Sequence, residues 1–237
     1  VNQIKTFYRT LGFYFVKIDI YMSILTSILC IILFIGIIFC LHNYNIKEGL
    51  QNNNNVVLLG DSVFKNNPYV TDKYSVENRL DRKMNTLGLA EDGAVINDIM
   101  QQYNQVPEEW DNKNTYLFVS VGGNNILNEY HYTDVQTTNL KPFNVLLNDY
   151  ESQIKKLKSA TKCKIVLTDI YYITDINYRK FYPLITKWND HLQTFAKKEK
   201  LSVYKISELV DRPQDFTHSI EPSVIGGQII VDNIIKF

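Results

Sequence analysis

The chain has 237 residues, 45% of them apolar, and its 25 lysines and arginines balance its 25 aspartates and glutamates. That length suits one sizeable domain with its own core, and the absence of net charge removes any bulk electrostatic case for a nucleic-acid partner or a strongly charged substrate. Cys30, Cys40 and Cys163 lack zinc-site spacing, and the chain has no His-Glu-x-x-His, no Gly-x-x-x-x-Gly-Lys and no dinucleotide fingerprint, so neither a metal nor a cofactor is expected.

From Ile20 to Leu41 no residue is charged. At 1.5 Å per residue, a helix of about 22 residues spans roughly 33 Å, enough for a bilayer core. Lys5, Arg9 and Lys17 precede this run against a single Asp19, whereas Lys47 is balanced by Glu48 after it. The positive-inside rule then keeps the N-terminus cytoplasmic and sends the remainder across the membrane. The expected organisation is a short cytoplasmic segment at 1–19, a transmembrane anchor at 20–41, a linker at 42–54 that ends within the run from Gln51 to Asn55, and one folded domain at 55–237.

Short apolar runs predict buried strands at 56–59, 116–121, 165–168 and 201–206. Between them, Val76, Leu80, Met84 and Leu87 mark one helical face. Val145, Tyr150, Ile154 and Leu157 mark a second, and Leu184, Trp188, Leu192 and Phe195 a third. A last helix is expected from Pro222 or Ser223, through Ile229, Ile230, Ile234 and Ile235. Strands alternating with helices imply a parallel sheet.

Four segments carry the chemistry. Gly60-Asp61-Ser62 closes the first strand, where a serine can project into the crevice beyond the strand ends, although the tripeptide equally suits a helix cap. His218 follows Asp215 by three residues, the pairing a serine needs for a base and for a group that fixes the base's tautomer. His42, His131 and His191 lack that setting. Gly122-Gly123-Asn124-Asn125 ends another strand and offers an amide that could donate to an oxyanion, or else a plain turn. Gly93 could add a backbone donor.

In their order, these segments resemble the four blocks of the SGNH (GDSL-type) hydrolase family. The first block falls on Gly60, Asp61 and Ser62, the second on Gly93, the third on Gly122 to Asn125, and the fourth on Asp215 to His218. Asn67, Tyr69 and Val70, then Asp92-Gly93-Ala94, Ile220-Glu221-Pro222-Ser223 and Gly226-Gly227 are similar to one bacterial branch. Asn125 stands where the family has aspartate. The resemblance implies a three-layer α/β/α sandwich with a mainly parallel, flavodoxin-like sheet. It further implies an esterase or lipase-like acylhydrolase with Ser62 as nucleophile, His218 as base and Asp215 in support. The oxyanion hole would comprise the Ser62 and Gly93 N–H groups and the Asn124 amide. The substrate would be a small-molecule, lipid or glycan ester. An acyltransferase or carbohydrate O-acetylesterase using the same site, and a silent anchored binding domain, are the alternatives.

Overall fold

A computed structural model describes residues 26–34, 54–129 and 141–237. The chain divides into two compact units, Val1–Glu48 and Gly49–Phe237. Most of the expected anchor and all of the linker's residues 42–53 lie outside the described residues; residues 26–34 are helical, with Ile28, Leu29, Ile31, Ile32, Leu33 and Phe34 exposed. Among the described residues, no helix is long and apolar enough to cross a membrane.

The second unit is built on five strands: β1 Asn55–Gly60, β2 Asn85–Gly88, β3 Thr115–Ser120, β4 Lys164–Thr168 and β5 Ser202–Tyr204. Their spatial order is β2-β1-β3-β4-β5 and every neighbouring pair is parallel. Among the described residues its α-helices are α1 Val76–Asp81, α2 Ile99–Tyr103, α3 Gly123–Glu129, α4 Lys141–Ala160, α5 Tyr182–Glu199 and α6 Val224–Ile235.

Strand side chains alternate between two cores, as the pleat requires. Val57, Leu59, Leu117, Val119, Ile165 and Leu167 join Tyr150, Ile154, Trp188 and Phe195 of α4 and α5 on one face. Val56, Leu58, Phe118 and Val166 join Val76 and Leu80 of α1 and Ile230 and Ile234 of α6 on the other. A sheet covered on both faces is what makes its strands read as unbroken apolar runs. Burying each such side chain contributes about 1.5–3 kcal/mol, which holds the three layers together.

Several sequence expectations are corrected. The stripe from Val76 does not run as one helix: α1, capped by the Ser75 hydroxyl accepting from the Asn78 N–H, stops at Asp81, and Leu87 lies in β2. That edge strand escapes the pattern because Asn85, Thr86 and Gly88 give it no apolar run. Val145 faces solvent, and its neighbours Leu146 and Leu147 enter the core instead. Pro222 sits in a short strand, and α6 starts after Ser223, whose hydroxyl accepts from the Ile225 and Gly226 N–H groups.

The chain goes from β1 to one neighbour, β2, then returns to β1's other side as β3. In such a sheet, ligands bind outside the carboxyl ends of the strands where the winding reverses. The ends of β1 and β3 therefore frame the site.

Candidate active site

The end of β1 presses directly on the end of β3. Gly60 has φ +119°, and a Cβ there would lie 1.8 Å from the Ser120 carbonyl oxygen. Gln102 of α2 clamps the same residue, its Oε1 accepting from the Gly60 N–H at 2.6 Å and its Nε2 donating to the Gly60 carbonyl at 2.9 Å. The next residue, Asp61, turns its carboxylate inward, where Oδ1 accepts from the Val63 N–H at 3.2 Å and the Ser120 hydroxyl at 3.1 Å. That local turn leaves Ser62 at the mouth of an apolar pocket, whose walls include Ile126, Ile170, Ile173, Ile185 and Ile206. The Ser62 backbone N–H donates to no other group among the described residues.

The end of β3 supplies the opposite rim. Gly122 has φ +107°, and a Cβ on it would lie 2.3 Å from the Trp188 ring, so only glycine lets the chain turn there. Asn124 lines the same pocket as Ser62, and its Nδ2 donates to the Ala94 carbonyl at 3.0 Å. Gly93 precedes that residue in a turn closed by the Ala94 N–H on the Glu91 carbonyl, with φ +78°. Gly93 itself does not line the pocket. Asn125, in place of the family aspartate, accepts from the Ile96 N–H through Oδ1 at 3.1 Å, as a carboxylate oxygen could. The first three segments thus meet: Ser62 and Asn124 share a cavity, and Asn124 is tied to the Gly93 turn.

The fourth segment does not form the expected relay. Asp215 is fully buried, but its carboxylate accepts from Arg212 through Nη2 at 2.9 Å and Nε at 3.2 Å, and from the Arg212 and Asp211 backbone N–H groups. Burial alone would raise its pKa; the Arg212 side-chain and backbone hydrogen bonds outweigh that and hold it below the usual value. No hydrogen bond joins it to His218. The reason is local geometry. Pro213–Asp215 is a 3-10 turn, in which residues three apart eclipse, bringing Arg212 over Asp215. Beyond Asp215 the two-residue strand β6, Phe216–Thr217, leads into the left-handed His218, and the Asp215 carboxylate is taken up by Arg212.

β6 pairs antiparallel with β7, Glu221–Pro222, and His218 stands exposed at the hairpin tip. Both His218 and Ser219 are left-handed, with φ 47° and 69°. The imidazole Nδ1 lies 3.2 Å from the Thr217 hydroxyl, and the ring packs on Tyr69 at 5.5 Å between centroids. It is not among the groups lining the pocket. His191 belongs elsewhere, beside Glu151 at 3.1 Å; His42 and His131 lie outside the described residues.

Three acids line the pocket, Asp61, Asp169 and Glu221, and sequence reasoning gave no role to the last of them. Glu221 is 5% exposed, and burial raises its pKa to about 7, with the Ser62 side chain acting against that and the charge of Asp92 adding to it. Asp61 is also pushed up to about 7, chiefly by burial, with Glu221 contributing. The available sequence signal was an acid between Ile220 and Pro222, next to the last helix and without a nearby cation. Among the described residues, no group of three or more His, Cys, Asp or Glu side chains could hold a metal ion.

Comparisons with known proteins fit this geometry. The GDSL-like Lipase/Acylhydrolase family model matches residues 56–228. No curated protein matches the chain. A lipolytic protein of the G-D-S-L family from Veillonella parvula is similar in structure at 13% identity and a TM-score of 0.57, with 75% of this chain and 94% of that one covered. A GDSL-like lipase from Bacteroides thetaiotaomicron is similar at 12% identity and a TM-score of 0.56, covering 82% and 92%. An acetyl xylan esterase from Geobacillus stearothermophilus is similar at 11% identity and a TM-score of 0.55, covering 77% and 93%. At such identities the likenesses speak for the fold, whereas the family match spans most of the second unit: the chain belongs to the GDSL-like lipase/acylhydrolase family.

Proposed function

We propose that the protein hydrolyses carboxylic esters through an acyl-enzyme on Ser62. The observation that carries this reading is the placement of the Ser62 hydroxyl and the Asn124 amide on one apolar pocket at the switch point of the sheet. The acyl chain lies against the isoleucine walls, the Ser62 oxygen attacks the carbonyl carbon, and the developing oxyanion is held by the Ser62 N–H and the Asn124 Nδ2. Collapse releases the alcohol, and water then releases the acid. Two groups on one hairpin, the His218 imidazole and the Glu221 carboxyl, are the candidates for the base. A purified Ser62→Ala chain should lose p-nitrophenyl acetate turnover and labelling by a fluorophosphonate. Full turnover in that variant, with contaminants removed, refutes the nucleophile.

The uncharged run from Ile20 to Leu41, with its exposed apolar side chains at 26–34, supports a single membrane anchor that leaves the hydrolase on the extracytoplasmic face. An epitope placed after Phe237 should be digested from the outside of intact cells; its protection there, with digestion only after lysis, contradicts that orientation.

A further inference from the structure

We infer that Tyr69 is a positioning residue for the His218 imidazole, a single side chain that braces the hairpin tip against both the nucleophile loop and the Gly93 turn. The inference rests on the ester-hydrolase reading of Ser62 with His218 as its base, and deepens it. In the sequence, Tyr69 and Asp92 were points of likeness without a task; in the fold they meet.

Three segments converge on the Tyr69 ring. The residue lies seven positions after Ser62, and its hydroxyl donates to the Asp92 Oδ2 at 2.8 Å, next to Gly93 in the chain. The ring packs on the His218 imidazole at 5.5 Å between centroids and an interplanar angle of 56°, within the range in which aromatic pairs attract. The hydrogen bond to Asp92 pushes the phenol up to about 12, so at neutral pH the hydroxyl stays protonated and keeps donating.

His218 needs support from outside its own hairpin. It is exposed, and it and Ser219 are both left-handed, with φ 47° and 69°. Such backbone persists where surrounding contacts outweigh its strain. The Thr217 hydroxyl, 3.2 Å from Nδ1, belongs to the same hairpin and moves with it. Asp215, the acid expected to steady the ring, is taken up by Arg212. Tyr69 reaches the imidazole from the nucleophile loop, so it fixes the tip relative to the serine. Just beyond the tip, Ile220 and Glu221 line the pocket with Ser62.

Tyr69 is itself held. Its N–H donates to the Asn66 carbonyl at 3.0 Å. Asn66 is fully buried; its Nδ2 donates to the Pro222 carbonyl at 3.0 Å and its Oδ1 accepts from the Val76 N–H at 2.8 Å. The turn carrying Tyr69 is therefore pinned to β7 of the His218 hairpin and to the start of α1.

The brace bears on proton transfer. As the Ser62 Oγ bonds to the carbonyl carbon, its proton passes to the imidazole, which returns it to the alcohol oxygen as the carbon–oxygen bond breaks. Water then gives a proton to the imidazole as it bonds to the acyl carbon, and that proton goes back to Ser62 as the Oγ–carbon bond breaks. In each half the imidazole is briefly a cation, and a tyrosine ring within about 6 Å attracts a cation to its face. A base held in place beforehand lowers the barrier, whereas binding of the acyl group falls to the isoleucine walls. Losing the ring should thus lower kcat and leave KM nearly unchanged.

The test compares the full wild-type chain with Tyr69→Phe, Tyr69→Leu, His218→Ala, the double variant Tyr69→Leu/His218→Ala and Ser62→Ala. The readouts are p-nitrophenyl acetate kcat and KM, fluorophosphonate labelling and thermal melting. Tyr69→Leu should lower kcat by about 10-fold to 30-fold with KM within about twofold. Tyr69→Phe keeps the ring and loses the tether to Asp92, so it should recover most of that loss and sit about threefold below wild type. In the His218→Ala background, Tyr69→Leu should cost nothing further, because the ring acts through the imidazole. A Tyr69→Leu kcat within about twofold of wild type overturns the proposal, as does an equal loss with and without His218, the mark of general damage to the fold. Undiminished turnover in His218→Ala overturns it too. Should Tyr69→Leu fold poorly, Asp92→Ala, a change at an exposed position, decides. Its His218 ring protons should shift in NMR spectra and its kcat should fall about threefold; an unmoved ring and an unchanged rate overturn the brace. A wild-type chain with neither turnover nor labelling, or full turnover in Ser62→Ala, defeats the ester-hydrolase reading itself. Turnover that needs Ser62 and His218 but ignores Tyr69 defeats only the brace.

Discussion

Replacing Asp61 with asparagine should stabilise the protein at alkaline pH and leave it nearly unchanged in acid. Asp61 is buried at the end of β1, and its pKa is pushed from 3.8 to about 7, first by burial and further by Glu221. The folded state therefore holds the Asp61 proton more tightly than the unfolded chain does. Wild-type stability falls as pH rises from the unfolded value near 3.8 to the folded value near 7, and the loss is complete above that. Three pKa units at 1.36 kcal/mol each set an upper bound of about 4 kcal/mol. Relaxation and water penetration around a buried charge reduce that penalty, so about 2 kcal/mol is the expected gain. Asparagine keeps an Oδ1 acceptor for the Val63 N–H and the Ser120 hydroxyl, so the turn that presents Ser62 should survive. Denaturant unfolding, followed by fluorescence of the buried Trp188, should show the variant ahead of wild type at about pH 8.5 and level with it at about pH 4. An equal difference at both pH values, or a loss at alkaline pH, refutes the claim that burial holds this carboxyl protonated.

Gly60→Ala should destabilise by more than about 3 kcal/mol, since the new Cβ meets the Ser120 backbone and the positive φ adds strain, and a lowered thermal midpoint by circular dichroism checks it. Arg212→Ala should lower stability near neutral pH by stripping buried Asp215 of its side-chain donors, with the exposed arginine limiting the loss, and denaturant unfolding checks it. Because the Asp215 pKa is held below its usual value, that pair stabilises the fold above about pH 4 and fades as pH falls further; unfolding curves should show the variant's deficit shrinking in acid.

The strand runs, the helical stripes of α4 and α5 and the residues at the ends of β1 and β3 were legible in the chain because each depends on local spacing. Period-2 burial in a doubly covered sheet gives an apolar run, and a buried helix face repeats every three or four residues. β2 was hidden, since an edge strand of Asn85-Thr86-Leu87-Gly88 takes its identity from pairing with β1, which no neighbour in sequence encodes. The partner of Asp215 was equally undetermined: Arg212 and His218 stand three residues away on either side, and only the folded 3-10 turn shows that the arginine reaches the carboxylate. Glu221 acquires its significance from burial beside Ser62, across more than 150 residues of chain. Sequence therefore singled out Ser62 and Asn124, whereas the tertiary structure decided which titratable groups share their cavity, because desolvation and proximity are properties of the packed molecule.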